Sequence, residues 1–231
     1  MEEKETLRFD AVTVEVRPPY ETGLKDLSFV VREGDLVAVF VNRGHAHTPL
    51  ADAAEGLVEL TGGKIMFLGD EWEALSPDEF ARRRGRVGRV FEEHGWVSNL
   101  DVDENIMLGE RHHTVRPEEE IREEAEALAA RFGMDGIPTG RSSGLRRADL
   151  RRVEWIRAFL GDPALVLLEH PLRNVPPDAA DGLMDVVSDH RRKGTAVIWI
   201  TSDQLIWPRI AEHAVLKLRQ HGPQLVRAEG E

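Results

Sequence analysis

The chain of 231 residues contains no cysteine. Disulfides and thiolate metal sites are therefore excluded, and the composition suits a reducing compartment. Long apolar runs are also missing. The longest, Leu36–Val41 and Ala196–Ile200, fall far short of the roughly 20 residues that a membrane-crossing helix needs. Positive charge is scarce: 30 Lys and Arg stand against 42 Asp and Glu, a formal net charge of -12. That balance argues against a nucleic-acid binder, whose phosphate contacts require a positive surface, and against adsorption on anionic lipid. The opening residues, MEEKETLRFD, are acidic and carry no apolar signal-peptide core. There is no internal repeat and no low-complexity segment. The expectation is a cytoplasmic chain that meets a membrane only through another protein.

What is present suits one α/β domain. Hydrophobic residues make up 41% of the chain, enough for a sizeable core. Leu7–Val16 alternates apolar and polar residues, as a half-buried strand does. Leu24–Val31, Lys64–Leu68 and Gly88–Phe91 read as further strands, and Ala164–Leu168 and Ala196–Thr201 as fully buried parallel ones. Ser76-Pro77-Asp78-Glu79 opens a helix, with serine as cap and proline in the first turn. Pro117–Phe132, Leu145–Leu160 and Pro177–Arg192 read as long helices, Asp203–Ala211 as a short one. Ala214–Leu218 and Gln224–Val226 form a closing hairpin. Strands alternating with helices predict a parallel sheet covered on both faces.

The organising stretch is GDLVAVFVNRGHAHTPLADAAEGLVELTGGKI, Gly34 to Ile65. It reads as a buried strand (Leu36–Val41), a tight loop, and a helix opening near Thr48. This is the frame of a phosphate-binding loop, G-x-x-x-x-G-K-S/T. In a working loop, backbone N–H groups cradle phosphates, Lys bridges them, and Ser/Thr holds Mg²⁺. Here the frame keeps its length while Val41 takes the place of the first glycine, Ala46 that of the second and His47 that of the lysine. Gly44 remains inside the loop, and Thr48 keeps the hydroxyl but precedes Pro49.

Three later stretches sit in order behind it. VGRVFEEHGWVSNLDVDENI (Val87 to Ile106) resembles the Q-loop region of ATP-binding cassette (ABC) ATPases. LRRADLRRVEWIRAFLGDPALVLLEHP (Leu145 to Pro171) resembles, without a gap, their signature motif, signature helix and Walker B strand. GTAVIWITSDQ (Gly194 to Gln204) resembles the strand and switch that follow. The resemblance implies a P-loop NTPase-like ABC ATPase fold: a mainly parallel sheet, an antiparallel N-terminal β subdomain and a helical subdomain. The expected division is one domain, 1–231, with 1–91 and 161–231 as core and 92–160 as helical subdomain.

Position by position, the resemblance implies a dismantled nucleotide site. The usual adenine-stacking aromatic is missing after Val16, with Tyr20 nearby but displaced. The Q-loop glutamine is Glu92, the Walker B aspartate Glu169, the catalytic glutamate His170 and the switch histidine Ser202. The signature LSGGQ reads Leu145-Arg146-Arg147-Ala148-Asp149, and the D-loop Leu172-Arg173-Asn174-Val175-Pro176. Phosphoryl transfer depends on positioning and charge stabilisation by the parts that are replaced here. Gly44, His47, Thr48, Glu92, Glu169, His170 and Ser202 therefore form a vestigial nucleotide pocket, with no catalytic residue of its own.

Each of these residues also has a plainer reading. His47 is a loop filler, since imidazole is short and mostly neutral at pH 7. Glu92 and Glu169 are two partly solvated acids. His45 and His47, with His170 far along the chain, lack a third ligand of known geometry, so no metal site is expected. Trp96 follows the Q-loop, where the family's membrane subunits dock, and is either a contact hot spot or a core residue of the helical subdomain. Arg146 and Arg147 either reach phosphates bound on a partner subunit, because in this family two ATPase subunits meet head to tail, or start a solvated basic helix that Arg151, Arg152 and Arg157 continue.

The resulting expectation is a catalytically inactive ABC subunit that pairs with an intact ATPase subunit under a permease, on the cytoplasmic face of the inner membrane. It needs no cofactor of its own, with ATP and Mg held by the partner. FEEHGWVSNLDVDENI and RHHTVRPEEEI further resemble ATPases of MCE-type (mammalian-cell-entry) lipid transporters, which implies lipid or another hydrophobic cargo and an MCE-type lipid-binding protein as a further partner. Two alternatives are a soluble regulatory or scaffold protein with no permease, and a weak nucleotide binder working through His47, Thr48 and Glu169.

Overall fold

Leu7, Phe9, Val12 and Val14 are buried along the first strand, with half-buried or exposed residues between them and a break in register between Phe9 and Val12. The computed structural model describes residues 4–42, 47–93 and 95–228. Its elements run β1 (Glu5–Val14), β2 (Leu24–Arg32), β3 (Leu36–Phe40), α1 (Leu50–Ala54), β4 (Gly62–Phe67), β5 (Asp70–Glu71), α2 (Pro77–Arg84), β6 (Val87–Val90), α3 (Val102–His113), α4 (Glu118–Arg131), α5 (Arg147–Phe159), β7 (Leu165–Glu169), α6 (Ala179–Arg192), β8 (Ala196–Thr201), α7 (Trp207–His213), β9 (Leu216–His221) and β10 (Gln224–Arg227). The chain divides into two compact units, Met1–Arg84 with Ala196–Glu231, and Gly85–Thr195.

The first unit holds an antiparallel sheet in the order β2-β1-β4-β5. Phe9 and Phe29 stack across it with ring centroids 4.6 Å apart. Its other sheet strands centre on β3, which pairs in parallel with β8 and with β9, while β9 and β10 form the predicted antiparallel hairpin. Every residue of β8 is buried, as a strand covered on both faces requires. The Ser76 cap forms as predicted: Ser76 N donates to Glu79 Oε2 at 3.1 Å.

Two helices of this unit differ from the sequence reading. The helix after the loop begins at Leu50, not Thr48, and lasts five residues. Pro49 starts it, and Gly56, at φ 68°, ends it in the left-handed region that glycine favours. The helix expected from Asp203 begins only at Trp207. Asp203 is used in a turn instead, its Oδ1 accepting Leu205 N at 2.8 Å, and Pro208 opens the helix.

In the second unit β6 pairs in parallel with β7. The helices expected within 92–160 lie here, and the unit extends beyond them to take in β6, β7 and α6. Trp155 of α5 is fully buried, edge-on to Phe132 at 5.2 Å, and donates its indole N–H to Pro171 O at 2.9 Å. β6 lies close under α5. A Cβ at Gly88 would sit 1.8 Å from the carbonyl oxygen of Ala158.

His190 of α6 is buried, its ring edge-on to Phe159 at 4.9 Å. Burial holds its pKa below the ordinary histidine value. Lys193 and Arg131 push the same way, and Glu124 and Asp189 oppose them. The unfolded chain therefore takes up this proton first as pH falls. The contribution is complete above the unfolded pKa, about 6.5, and declines below it until pH passes the lower folded value. His190→Gln is expected to flatten that part of the stability profile, read as urea midpoints between about pH 7 and pH 5. An unchanged slope would place the acid sensitivity elsewhere.

Candidate functional site

The first unit carries the loop residues. β3 delivers Val41, fully buried, whose N–H donates to Thr201 O at 2.9 Å. Asn42 N donates to Gln220 Oε1 at 2.7 Å, and Gln220 Nε2 to Gly222 O at 3.0 Å, so the loop's entry is tied to β8 and β9. Gly44, with its neighbours 43, 45 and 46, lies outside the described residues. The His47 ring stacks on Tyr20, centroids 6.0 Å apart and planes 25° from parallel. Tyr20 OH donates to Asp52 Oδ2 of α1 at 2.7 Å, and Glu21 N donates to His47 O at 2.9 Å. The tyrosine that the sequence left displaced thus packs against His47. Thr48 is buried. Ser202, half-buried, follows β8 in a turn where Thr201 Oγ1 accepts Asp203 N at 3.0 Å.

The second unit carries a cluster of acids and arginines. β7 ends in Glu169, and β6 brings Arg89 beside it, with Nε 2.7 Å from Oε1. The Arg89 guanidinium also lies over Phe91, 4.5 Å from the ring centroid. Glu92 accepts from Arg173 Nη2 at 2.9 Å. The reading of Glu92 and Glu169 as partly solvated acids is overturned: both are buried, 9% and 7% exposed. A carboxylate removed from water stays ionised only beside a compensating charge, and arginines of the same unit provide it. His170 is buried in the left-handed region at φ 45°, and its carbonyl accepts Arg173 N at 2.9 Å, which turns the chain so that Arg173 faces Glu92.

The signature stretch leads into α5. Arg146 precedes the helix with extended backbone (φ -69°, ψ 150°). Its side chain is 85% exposed and pairs with Asp149 at 2.8 Å. Arg147 is exposed as well. The basic run does not continue as a solvated face. Arg151 is 1% exposed, pairs with Glu154 at 2.7 Å and donates to the carbonyls of Phe91 (2.7 Å) and Glu92 (3.1 Å). Desolvation lowers its pKa, with Glu154 opposing. Arg157 lies over Phe91 and Trp96, at 5.6 and 5.1 Å, and donates to Gly95 O at 2.6 Å. Trp96 is half-buried on that cation, and Val97 beside it is exposed. Asn105, which the sequence reading passed over, holds this loop by accepting Val97 N at 2.8 Å and donating to Val97 O at 3.2 Å.

Arg89, Arg151 and Arg173 were also missed as site residues. Arg89 had left a signal: a charge inside an apolar strand, VGRVF, demands a buried partner. Among the described residues, no three His, Asp or Glu side chains converge as a metal's ligand set.

The sequence profile of the family described as ABC transporter matches residues 24–173, well over half of the chain. The chain belongs to the ABC transporter family. It is the nucleotide-binding subunit type of a membrane transporter, and ATPase domains of this family bind ATP and Mg, dimerise and work with permeases. Among its curated relatives, the ABC subunit is 27% identical to the lipoprotein-releasing system ATP-binding protein LolD of Idiomarina loihiensis, over 85% of this chain and 86% of that one. It is 29% identical to the phosphonates import ATP-binding protein PhnC 1 of Rhodopseudomonas palustris, over 83% of this chain and 74% of that one. Among solved structures it resembles the dimeric structure of MJ0796, a bacterial ABC transporter cassette, with TM-score 0.82, 18% identity, and coverage of 97% of this chain and 100% of the other. That likeness shows the ABC ATPase fold, the fold class expected from the sequence. Among the described residues no helix is long and apolar enough to cross a membrane.

Proposed function

We propose that this ABC subunit is a single non-hydrolysing ATPase-like domain that pairs with an intact ATPase subunit beneath a permease, on the cytoplasmic face of the membrane. One observation carries the reading: Glu169, at the Walker B position, is buried and already salt-bridged to Arg89 at 2.7 Å. The residues present do not fit ATP with Mg²⁺. The lysine position holds His47, packed on Tyr20, and the metal position holds a carboxylate closed by a guanidinium. His170 offers no carboxylate and Ser202 no imidazole where the resemblance calls for them. ATP and Mg therefore belong to the partner subunit.

Arg146 and Arg147 are the groups this chain offers to that partner. Both are exposed at the start of α5, and an exposed pair such as Arg146–Asp149 is worth little and easily exchanged. Presented to a phosphate, a guanidinium makes charge-assisted, bidentate contacts. The exposed Val97, held by Asn105, and the half-buried Trp96 under Arg157 are the patch offered to the permease. The cargo reading remains the hydrophobic, lipid-class one carried by the resemblance to MCE-type systems, with a lipid-binding protein as further partner. The relative named for lipoprotein release favours it, and those named for phosphonate import do not.

Mild-detergent capture of the chain from its native membranes tests the assembly. An intact ABC ATPase and a polytopic permease should co-purify. Recovery of soluble partners alone would replace this reading with that of a scaffold. In the purified complex, Arg146→Ala with Arg147→Ala should lower ATP turnover at least about tenfold without loss of assembly, given the 10³–10⁵ that an arginine supplied in trans contributes in other phosphoryl-transfer systems. Unchanged turnover would retire the role in trans.

A further inference from the structure

Three arginines reach the acid cluster of the second unit from three different segments: Arg89 from β6, Arg151 from α5 and Arg173 from the turn after β7. They meet three carboxylates. Arg89 holds Glu169 at 2.7 Å, Arg173 holds Glu92 at 2.9 Å, and Arg151 holds Glu154 at 2.7 Å while binding the backbone carbonyls of Phe91 and Glu92. Arg89, Arg151, Glu92, Glu154 and Glu169 are each less than a tenth exposed. Each of these three carboxylates thus already has a guanidinium beside it.

We propose that these resident arginines have taken over the role of the divalent cation, so that the chain's own site is closed and charge-balanced without metal. The inference deepens the reading of the chain as a non-hydrolysing subunit and rests on it. Mg²⁺ demands near-octahedral oxygen ligands at about 2.0–2.1 Å and gives up water reluctantly. Here a guanidinium N–H already takes one of the two Glu169 carboxylate oxygens, and a metal there would have to compete with it. Two further positive charges brought beside Arg89 would be repelled in a poorly solvated setting. Cations fixed to the chain cannot dissociate. The Q-loop backbone, held by Arg151, and the D-loop, held through Arg173 and Glu92, therefore keep one arrangement whatever the metal concentration.

The test uses the full chain without nucleotide, Mn²⁺ as an EPR probe, and thermal melting in Mg²⁺ against salt of equal ionic strength. Wild type is expected to bind no site-specific Mn²⁺ at sub-millimolar concentration, and its Tm should not respond to Mg²⁺ beyond the ionic-strength control. Arg89→Met, which leaves Glu169 without its counter-charge, should melt about 10 °C lower, gain one Mn²⁺ site and recover part of the loss in Mg²⁺. The gained site should vanish in the double variant Arg89→Met, Glu169→Gln, which separates it from binding to the acidic surface. Should Arg89→Met fail to fold, the half-exposed Arg173→Ser decides by the same readouts, with its site removed by Glu92→Gln. Stoichiometric Mn²⁺ on wild type, or no gain in the arginine variants, would overturn the inference. Because no ATP turnover enters these measurements, either result leaves the subunit reading to be judged by its own assay.

Discussion

Arg151→Met is expected to remove about 3–5 kcal/mol from the unfolding free energy, the range seen when one partner of a buried ion pair is taken away. Methionine keeps the apolar stem and deletes the guanidinium. Glu154, 0% exposed, then loses its salt bridge, and the carbonyls of Phe91 and Glu92 lose their donors. Substituting both members, Arg151→Met with Glu154→Met, should recover at least half of the loss, because the buried carboxylate is then removed together with its guanidinium. Full recovery is not expected, since the two carbonyls stay without Arg151. Urea denaturation of the four proteins closes the double-mutant cycle. A single-variant cost below about 1 kcal/mol, the level of an exposed pair, would show that water reaches this pair.

Gly88→Ala should be worse. The added methyl would lie 1.8 Å from Ala158 O, 2.8 Å from its carbonyl carbon and 3.2 Å from its Cα, all backbone atoms of α5. No rotamer change relieves such a contact, so strand and helix must part. Ordinary overpacking costs about 1–3 kcal/mol, and a forced backbone separation belongs in the exceptional range above about 4 kcal/mol. Loss of soluble protein, or a urea midpoint reduced to match, is the expected result. Ala158→Gly should give no rescue, because the clash is with the peptide and not with the alanine methyl. A Gly88→Ala protein within about 1 kcal/mol of wild type would contradict the described approach of β6 to α5.

Much of the fold was legible because it depends on local pattern. Buried parallel strands such as Ala196–Thr201 announce themselves as unbroken apolar runs, and Ser76 with Glu79 announces a helix start. The order and spacing of the motif-like stretches pointed to the family. Pairing between distant side chains was less legible. Arg151 was read with its basic neighbours as solvated, yet it stands four residues before Trp155 and eight before Phe159, on the buried face of the same helix. Helical periodicity held that information, and charge masked it. Arg173 carried no such mark, since its partner Glu92 is distant in sequence and their meeting depends on the left-handed turn at His170. The helix after the loop was misplaced for a smaller reason: Thr48 suggested a helix start, and Pro49 with Gly56 left room for only five residues.

Tyr20 is the chain's one tyrosine, and it sits with its ring on His47 and its hydroxyl on Asp52. Nitration of the purified protein would therefore attach a single visible chromophore, against His47 and α1. An occupant that pushed His47 off the ring, or drew Asp52 away with α1, would change that chromophore's ionisation and its colour. The chain thus supplies its own optical gauge for asking whether anything enters the loop while the transporter turns over.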